Sequence, residues 1–247
     1  MSQIEQLVRG FERAHVPLVL SPRPFVRGVA DESIVQMDVA RAPDSEPREH
    51  ILLWPGRNAE LRVSGHDGRL RQLVLRVREA RRKFHEERWD RTVKRLVTVE
   101  RWTDPAPRRF LVGMDESHLF VAQLTTRATT VAEAHRGLRP PELKERPEAA
   151  RQGEWFFVPA SEEELREARR CSRRFRARNA PIGRNLARRG RPHWADHVVR
   201  IPGEPGRWIE LVRGSIRHPD HATVSFPEWM RVFVNTENRG VGATWVD

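Results

Sequence analysis

AELRVSGHDGRLRQLVLRV, residues 59–77, decides the fold class. Leu73, Leu75 and Val77 alternate with Gln72, Val74 and Arg76, and a period of two is the signature of a strand with one buried face. Ser64-Gly65-His66-Asp67-Gly68 precedes that run and carries an Asp-Gly turn. Ala59–Val63 and Leu70–Val77 therefore pair as a β-hairpin.

The same grammar recurs on both sides. Upstream, Val16–Leu20, Ser33–Val39 and His50–Trp54 are short β-type runs, the last ended by Trp54-Pro55-Gly56. Downstream, Phe110–Val112 and His118–Leu124 flank Gly113-Met114-Asp115-Glu116 as a second hairpin. Residues 78–92, charged and mixed in sign, suit a solvated helix or a long loop. Helices are few. Ser2 and Glu5 have capping-box spacing ahead of Ile4, Leu7, Val8 and Phe11, and Thr130 with Glu133 opens a short helix to Leu138.

Arg139–Gln152 holds three prolines and no apolar periodicity, which marks 141–152 as a linker between residues 1–140 and 153–247, unless one domain runs throughout. Beyond it Glu154–Val158 is a buried strand. Ser161 caps a helix with glutamates at its positive end and arginines at its negative end, as the dipole prefers. This surface arginine-rich helix is expected near 161–178. Val198–Ile201, Trp208–Ile216, Ala222–Phe226 and Met230–Val234 follow as strands separated by Pro-Gly, His-Pro-Asp and Phe-Pro-Glu turns. The sum is an α+β fold with an antiparallel, hairpin-rich body.

Composition narrows the function. No apolar run approaches a bilayer span, and the first residues lack the apolar core of a signal peptide. The single cysteine, Cys171, rules out an intramolecular disulfide and a cysteine-rich zinc site. These features together point to the cytoplasm and away from membranes. The absence of tyrosine excludes chemistry that needs a tyrosine nucleophile. No Walker A, G-x-G-x-x-G or G-x-S-x-G pattern occurs. The formal net charge of +11 favours polyanionic partners, although arginine in place of lysine carries no weight because a GC-rich genome produces that bias.

The charge is clustered. From Ala168 to Arg191 the chain contains ten arginines and no acidic residue. Arg169, Arg170, Arg173, Arg174, Arg176 and Arg178 crowd successive turns, and Arg184, Arg188, Arg189 and Arg191 follow. Like charges at helical spacing repel unless a counter-charge is present, and phosphate is the obvious one. Trp194, beside this run, is the candidate base-stacking residue. The expected function is nucleic-acid binding, with RNA or single strands slightly preferred, without catalysis and without a cofactor. A basic face that docks on an acidic protein is a second reading.

A third reading rests on histidines. His193-Trp194-Ala195-Asp196-His197 and His218-Pro219-Asp220-His221 both end in Asp-His. Imidazoles with carboxylates are common ligands for zinc or manganese. Pairing of the strands at 198–201 and 208–216 would bring His197 and His218 to one end of a hairpin. His193, His197, His218 and His221 with Asp196 and Asp220 are thus candidates for a metal-dependent phosphodiesterase or nuclease. The plain alternative is an ordinary turn, with Pro219 fixing φ and Asp220 bonding its own backbone.

Overall fold

The computed structural model describes all residues except 27–31, 43–47, 91, 93, 184–190, 206, 238–244 and 247. Three α-helices and sixteen strands occur among the described residues, so the α+β class holds with sheet predominating. The chain divides into two compact units. The first comprises Met1–Met114, Leu119–Ala134 and the C-terminal strand; the second comprises Asp115–His118 and His135–Glu237. No described helix is long and apolar enough to cross a membrane.

In the first unit, α1 (Gln3–Arg13) begins at the expected capping box: Ser2 Oγ accepts from the Glu5 amide, and Glu5 Oε2 accepts from the Ser2 amide. Its buried face, Leu7 and Phe11, packs with Ile51, Leu53, Leu73, Leu75 and Phe110 in one core. Two four-stranded sheets surround that core. One has the order β1 (Leu18–Leu20), β3 (Glu49–Trp54), β2 (Gln36–Arg41), β16 (Trp245–Val246). The other has the order β4 (Glu60–Asp67), β5 (Gln72–Arg78), β8 (Arg108–Asp115), β9 (His118–Leu124). The opening hairpin is β4–β5, paired from Glu60↔Arg78 to Asp67↔Gln72.

The charged stretch from residue 78 is neither helix nor loop. It forms β6 (Lys83–Asp90), which pairs with β7 (Arg95–Trp102) as a separate two-stranded sheet. Cross-strand charge pairs supply part of its register, Lys83 to Glu100 at 2.9 Å and Arg101 to Glu86 at 3.5 Å. Both faces are largely exposed, so the alternation of polar and apolar residues that betrays a half-buried strand is missing.

The second unit is built on one antiparallel sheet in the order β10 (Ala150–Gln152), β11 (Trp155–Pro159), β15 (His221–Val234), β14 (Trp208–His218), β13 (Trp194–Pro202), β12 (Arg176–Pro181). The stretch read as a linker holds a 3₁₀ turn at Pro141–Leu143 and β10 itself. The Phe-Pro-Glu segment does not break the chain: Pro227 sits within β15, where the pairing with β14 shifts between Val212 and Gly214. Such a bulge accommodates a proline that cannot donate to the ladder.

The sheet curls. Trp155, Phe157, Ala180, Ile182, Ala195, Val198, Val212 and Ile216 share one core, which joins the β11 side of the sheet to the β12 side. On the opposite face, α3 (Glu162–Arg170) lays Ala168 and the adjoining Cys171 over Val199, Ile201 and Leu211. α2 (Val131–Leu138) contains the boundary between the units.

The surface arginine helix expected across 161–178 is not present at that length. α3 stops at Arg170; Cys171 is extended, Arg173–Phe175 make one 3₁₀ turn, and β12 starts at Arg176. Two forces decide this. Continuing the helix would stack Arg166, Arg169, Arg170, Arg173 and Arg174 on neighbouring turns. Meanwhile Ala177 and Ala180 are claimed by the sheet core, with Ala177 paired to Val198.

Candidate nucleic-acid interface and histidine cluster

The ten candidate arginines fall on different elements. Arg169 and Arg170 lie in the last turn of α3, Arg173 and Arg174 in the 3₁₀ turn, and Arg176 and Arg178 on β12, the last strand of the sheet. All six are exposed, as is Arg191. Arg184, Arg188 and Arg189 lie outside the described residues. Arg170 is paired with Glu167 at 3.3 Å. Arg176 is turned inward on its own chain: its guanidinium donates to the carbonyls of Ala168, Arg169 and Cys171, capping the end of α3. Among the described residues, no carboxylate lies in ion-pair range of Arg169, Arg173, Arg174 or Arg178.

Aromatic rings are interleaved with these charges. Arg174 lies 4.6 Å over the Phe175 ring, and Phe175 lies 5.0 Å from Trp208, which is 46% exposed. Trp194 is exposed at the start of β13. Between α3 and the sheet runs an open groove of about 480 Å³ lined by Arg169, Arg176, Arg213 and Trp229, with Glu162 and Glu228 also on its wall. Arg213 sits 5.1 Å over Trp229. Arg213 and Trp208 were not singled out by the sequence, because only the sheet register brings them beside the arginine run; Phe175 stands within the run itself.

The histidines separate into members and bystanders. His193 immediately precedes β13, His218 ends β14 and His221 begins β15, and one ring nitrogen from each lies within 4.8 Å of the others. Their rings are close: His193 and His218 centroids are 4.2 Å apart, His193 and His221 5.4 Å, and His218 and His221 5.0 Å. His197 is not among them. The β13–β14 register places it opposite Arg213, where its ring meets Trp229 edge-on. Asp196 is taken by Arg217 at 2.6 Å and by the Ser215 amide at 2.8 Å. The Ser215 bond, and then Arg217, hold its carboxyl below the usual aspartate value. Asp220 lies 3.7 Å from His118.

The protonation state of His218 follows from its partners. The Asp220 amide donates to Nδ1 at 3.1 Å, so that nitrogen offers its lone pair. Nε2 then carries the proton and donates to the Arg191 carbonyl at 3.1 Å. Burial holds this imidazole below the ordinary histidine pKa, against the Arg191 bond, which works the other way. His221 Nδ1 is buried without a hydrogen-bond partner, with Glu116 Oε1 at 3.9 Å. Gly153, in the β10–β11 turn at φ +55°, closes the cluster: a Cβ there would stand 2.7 Å from His221 Nε2 and 3.3 Å from His193 Nε2.

No family model, no curated protein and no solved structure matches this chain.

Proposed function

We propose that the protein binds nucleic acid, with RNA or single strands slightly preferred, through the arginine surface formed by the end of α3, the following turn and β12. The observation that carries this reading is that Arg169, Arg173, Arg174 and Arg178 are exposed and have no carboxylate partner among the described residues, with Arg174 lying over Phe175 of the Phe175–Trp208 pair. Uncompensated guanidinium groups are suited to phosphates, and exposed rings offer stacking surfaces that any base accepts. The test is anisotropy of a labelled single-stranded RNA oligonucleotide between about 50 and 200 mM salt. Log affinity should fall linearly with log salt. Replacing Arg169, Arg173 and Arg174 by alanine should lower the slope by about 2, at roughly 0.7 per lost phosphate contact on a single strand. An unchanged slope in the folded triple variant would remove these arginines from the interface, and binding of an acidic protein without nucleic acid would move the same surface to the docking reading.

A metal-dependent phosphodiesterase on the histidines draws less support. A catalytic metal must admit its substrate to an open position. Here His193 is 3% exposed and Gly153 closes on the rings, while His197, Asp196 and the Asp220 carboxylate are engaged elsewhere.

A further inference from the structure

The histidine cluster asks for an account of its own, independent of the nucleic-acid reading. Three imidazoles are costly to bring together as a merely structural feature, since each carries two polar nitrogens and only one of them is a donor when neutral. His193, His218 and His221 come from the start of one strand and the two sides of the β14–β15 turn, and they meet in a space that only a glycine at 153 leaves open.

We infer that His193, His218 and His221 form a closed binding site for one divalent transition metal, zinc by ligand chemistry, which clips the start of β13 to the β14–β15 turn. His193 and His221 both aim Nε2 at the space beside Gly153. The other nitrogen of His221 faces the Glu116 carboxylate, whose second oxygen is fixed by the Ala222 amide at 2.5 Å. A carboxylate behind a ligating imidazole selects the Nδ1–H tautomer and raises the basicity of Nε2. His218 already keeps Nε2–H on the Arg191 carbonyl, the backbone version of the same support, and binds the ion by exchanging its Asp220 amide contact for metal at Nδ1. Tetrahedral nitrogens bound at about 2.0–2.1 Å stand roughly 3.4 Å apart, so nitrogens that lie within 4.8 Å close by about an ångström on binding, and His193, now stacked at 18° on His218 and 22° on His221, turns its ring so that the in-plane lone pairs converge on the ion. One water enclosed with the ion completes the coordination, since the pocket that Gly153 closes leaves no room for a larger ligand. Cysteine takes no part, because the sole thiol, Cys171, donates to the Arg200 carbonyl on the α3 side of the sheet.

The test uses the untagged full chain, stripped with chelator and dialysed against zinc. The expected result is one zinc per chain, retained after gel filtration. Cobalt in its place should give the visible bands of a four-coordinate site without thiolate charge transfer. His221→Ala should abolish retention. Glu116→Gln, which leaves the three ligands in place, should weaken it about 10- to 100-fold with unchanged circular dichroism. His197→Ala should bind as the wild type does. Zinc should raise the thermal midpoint of the wild type and not that of His221→Ala. Folded wild-type protein without near-stoichiometric zinc, or zinc retention that survives His221→Ala, overturns the inference. Should His221→Ala fail to fold, the cobalt spectrum and Glu116→Gln decide: thiolate bands, or an affinity unmoved by Glu116→Gln, refute the site.

Discussion

Gly183→Ala tests how the sheet of the second unit closes. Gly183 follows β12 at φ +66°, and a Cβ built there would stand 2.3 Å from Trp155 Cη2 and 2.7 Å from Cζ2. Trp155 is 3% exposed on the far side of the sheet, so the indole has no free space to yield into. The Gly183 amide also donates to Glu210 Oε2 at 2.8 Å, and Glu210 in turn holds Arg200 at 2.8 Å, which pins the backbone from the other side. Two costs follow. A non-glycine residue in the left-handed region costs about 1–2 kcal/mol, and overpacking against a fixed core group costs about 1–3 kcal/mol. Their sum is about 2–5 kcal/mol. Urea titration followed by circular dichroism should show that loss. Gly203→Ala is the control: its nearest neighbour, Ile209 Cγ1, is 3.2 Å away and the backbone is not left-handed, so the change should stay within about 0.5 kcal/mol. Trp155→Phe removes the two clashing atoms, so the double variant should lose at least about 1 kcal/mol less than the sum of the singles. A Gly183→Ala protein as stable as the wild type, or strictly additive singles, would refute the argument that Gly183 and Trp155 close the curled sheet.

Other outcomes follow from single contacts. Ser161→Ala removes the hydroxyl that caps α3 through the Glu164 amide and should cost about 1 kcal/mol in the same titration. Arg176→Ala should cost a similar amount by freeing the α3 carbonyls, yet leave the salt slope of RNA binding within about 0.3 of wild type, whereas Arg173→Ala should lower it by about 0.7. Acid should destabilise the fold through His218 and His135, whose folded pKa values both lie below the ordinary histidine value, in each case chiefly through burial. Their contribution is complete above roughly pH 6.5 and is lost as pH falls from there through the folded values, because the unfolded chain takes up protons that the folded one refuses. His218→Gln should flatten the fall in thermal midpoint between about pH 7 and pH 5; an equally steep fall would place the acid sensitivity elsewhere.

What could be read from the sequence was whatever depends on neighbours along the chain. The β4–β5 hairpin, the Ser2 and Ser161 capping boxes and the strand at Trp155 each follow from local period, turn chemistry or a side chain three residues away. The β6–β7 hairpin escaped because its two faces are equally wet, which erases the period. The arginine helix was overextended for the opposite reason: its like charges were visible, but the claim of the sheet on Ala177 and Ala180 was not. At the histidines the sequence found the right residue types and partly the wrong members. His197 and His218 were expected to share a hairpin end, yet the bulge between Ala195 and His197 and the pairing of His197 with Arg213 place it three residues inside the ladder. Only the long-range register shows that, of the four candidate histidines, His193 joins His218 and His221 while His197 does not.

Separating these arginines by their partners changes what the net charge means. Arg176 closes the end of a helix, Arg200 is paired with Glu210, Arg231 with Glu164 and Arg217 with Asp196, so a large part of the positive charge in this unit is structural and offers nothing to a ligand. Of the surplus that remains, Arg169, Arg173, Arg174 and Arg178 sit on a helix end, a turn and the last strand of the sheet. A basic strand there also discourages edge-to-edge pairing with another copy, which is a sufficient reason for Arg178 alone. It is not a reason for Arg173 and Arg174, which precede the strand and stand beside Phe175 and Trp208. Because the element carrying them is anchored at both sides, by Cys171 on the Arg200 carbonyl and by β12 on β13, a phosphate backbone would meet a surface already formed. Binding there spends little on ordering the protein, so single substitutions at Arg173 or Arg174 should act on affinity and its salt dependence while leaving stability within about 0.5 kcal/mol.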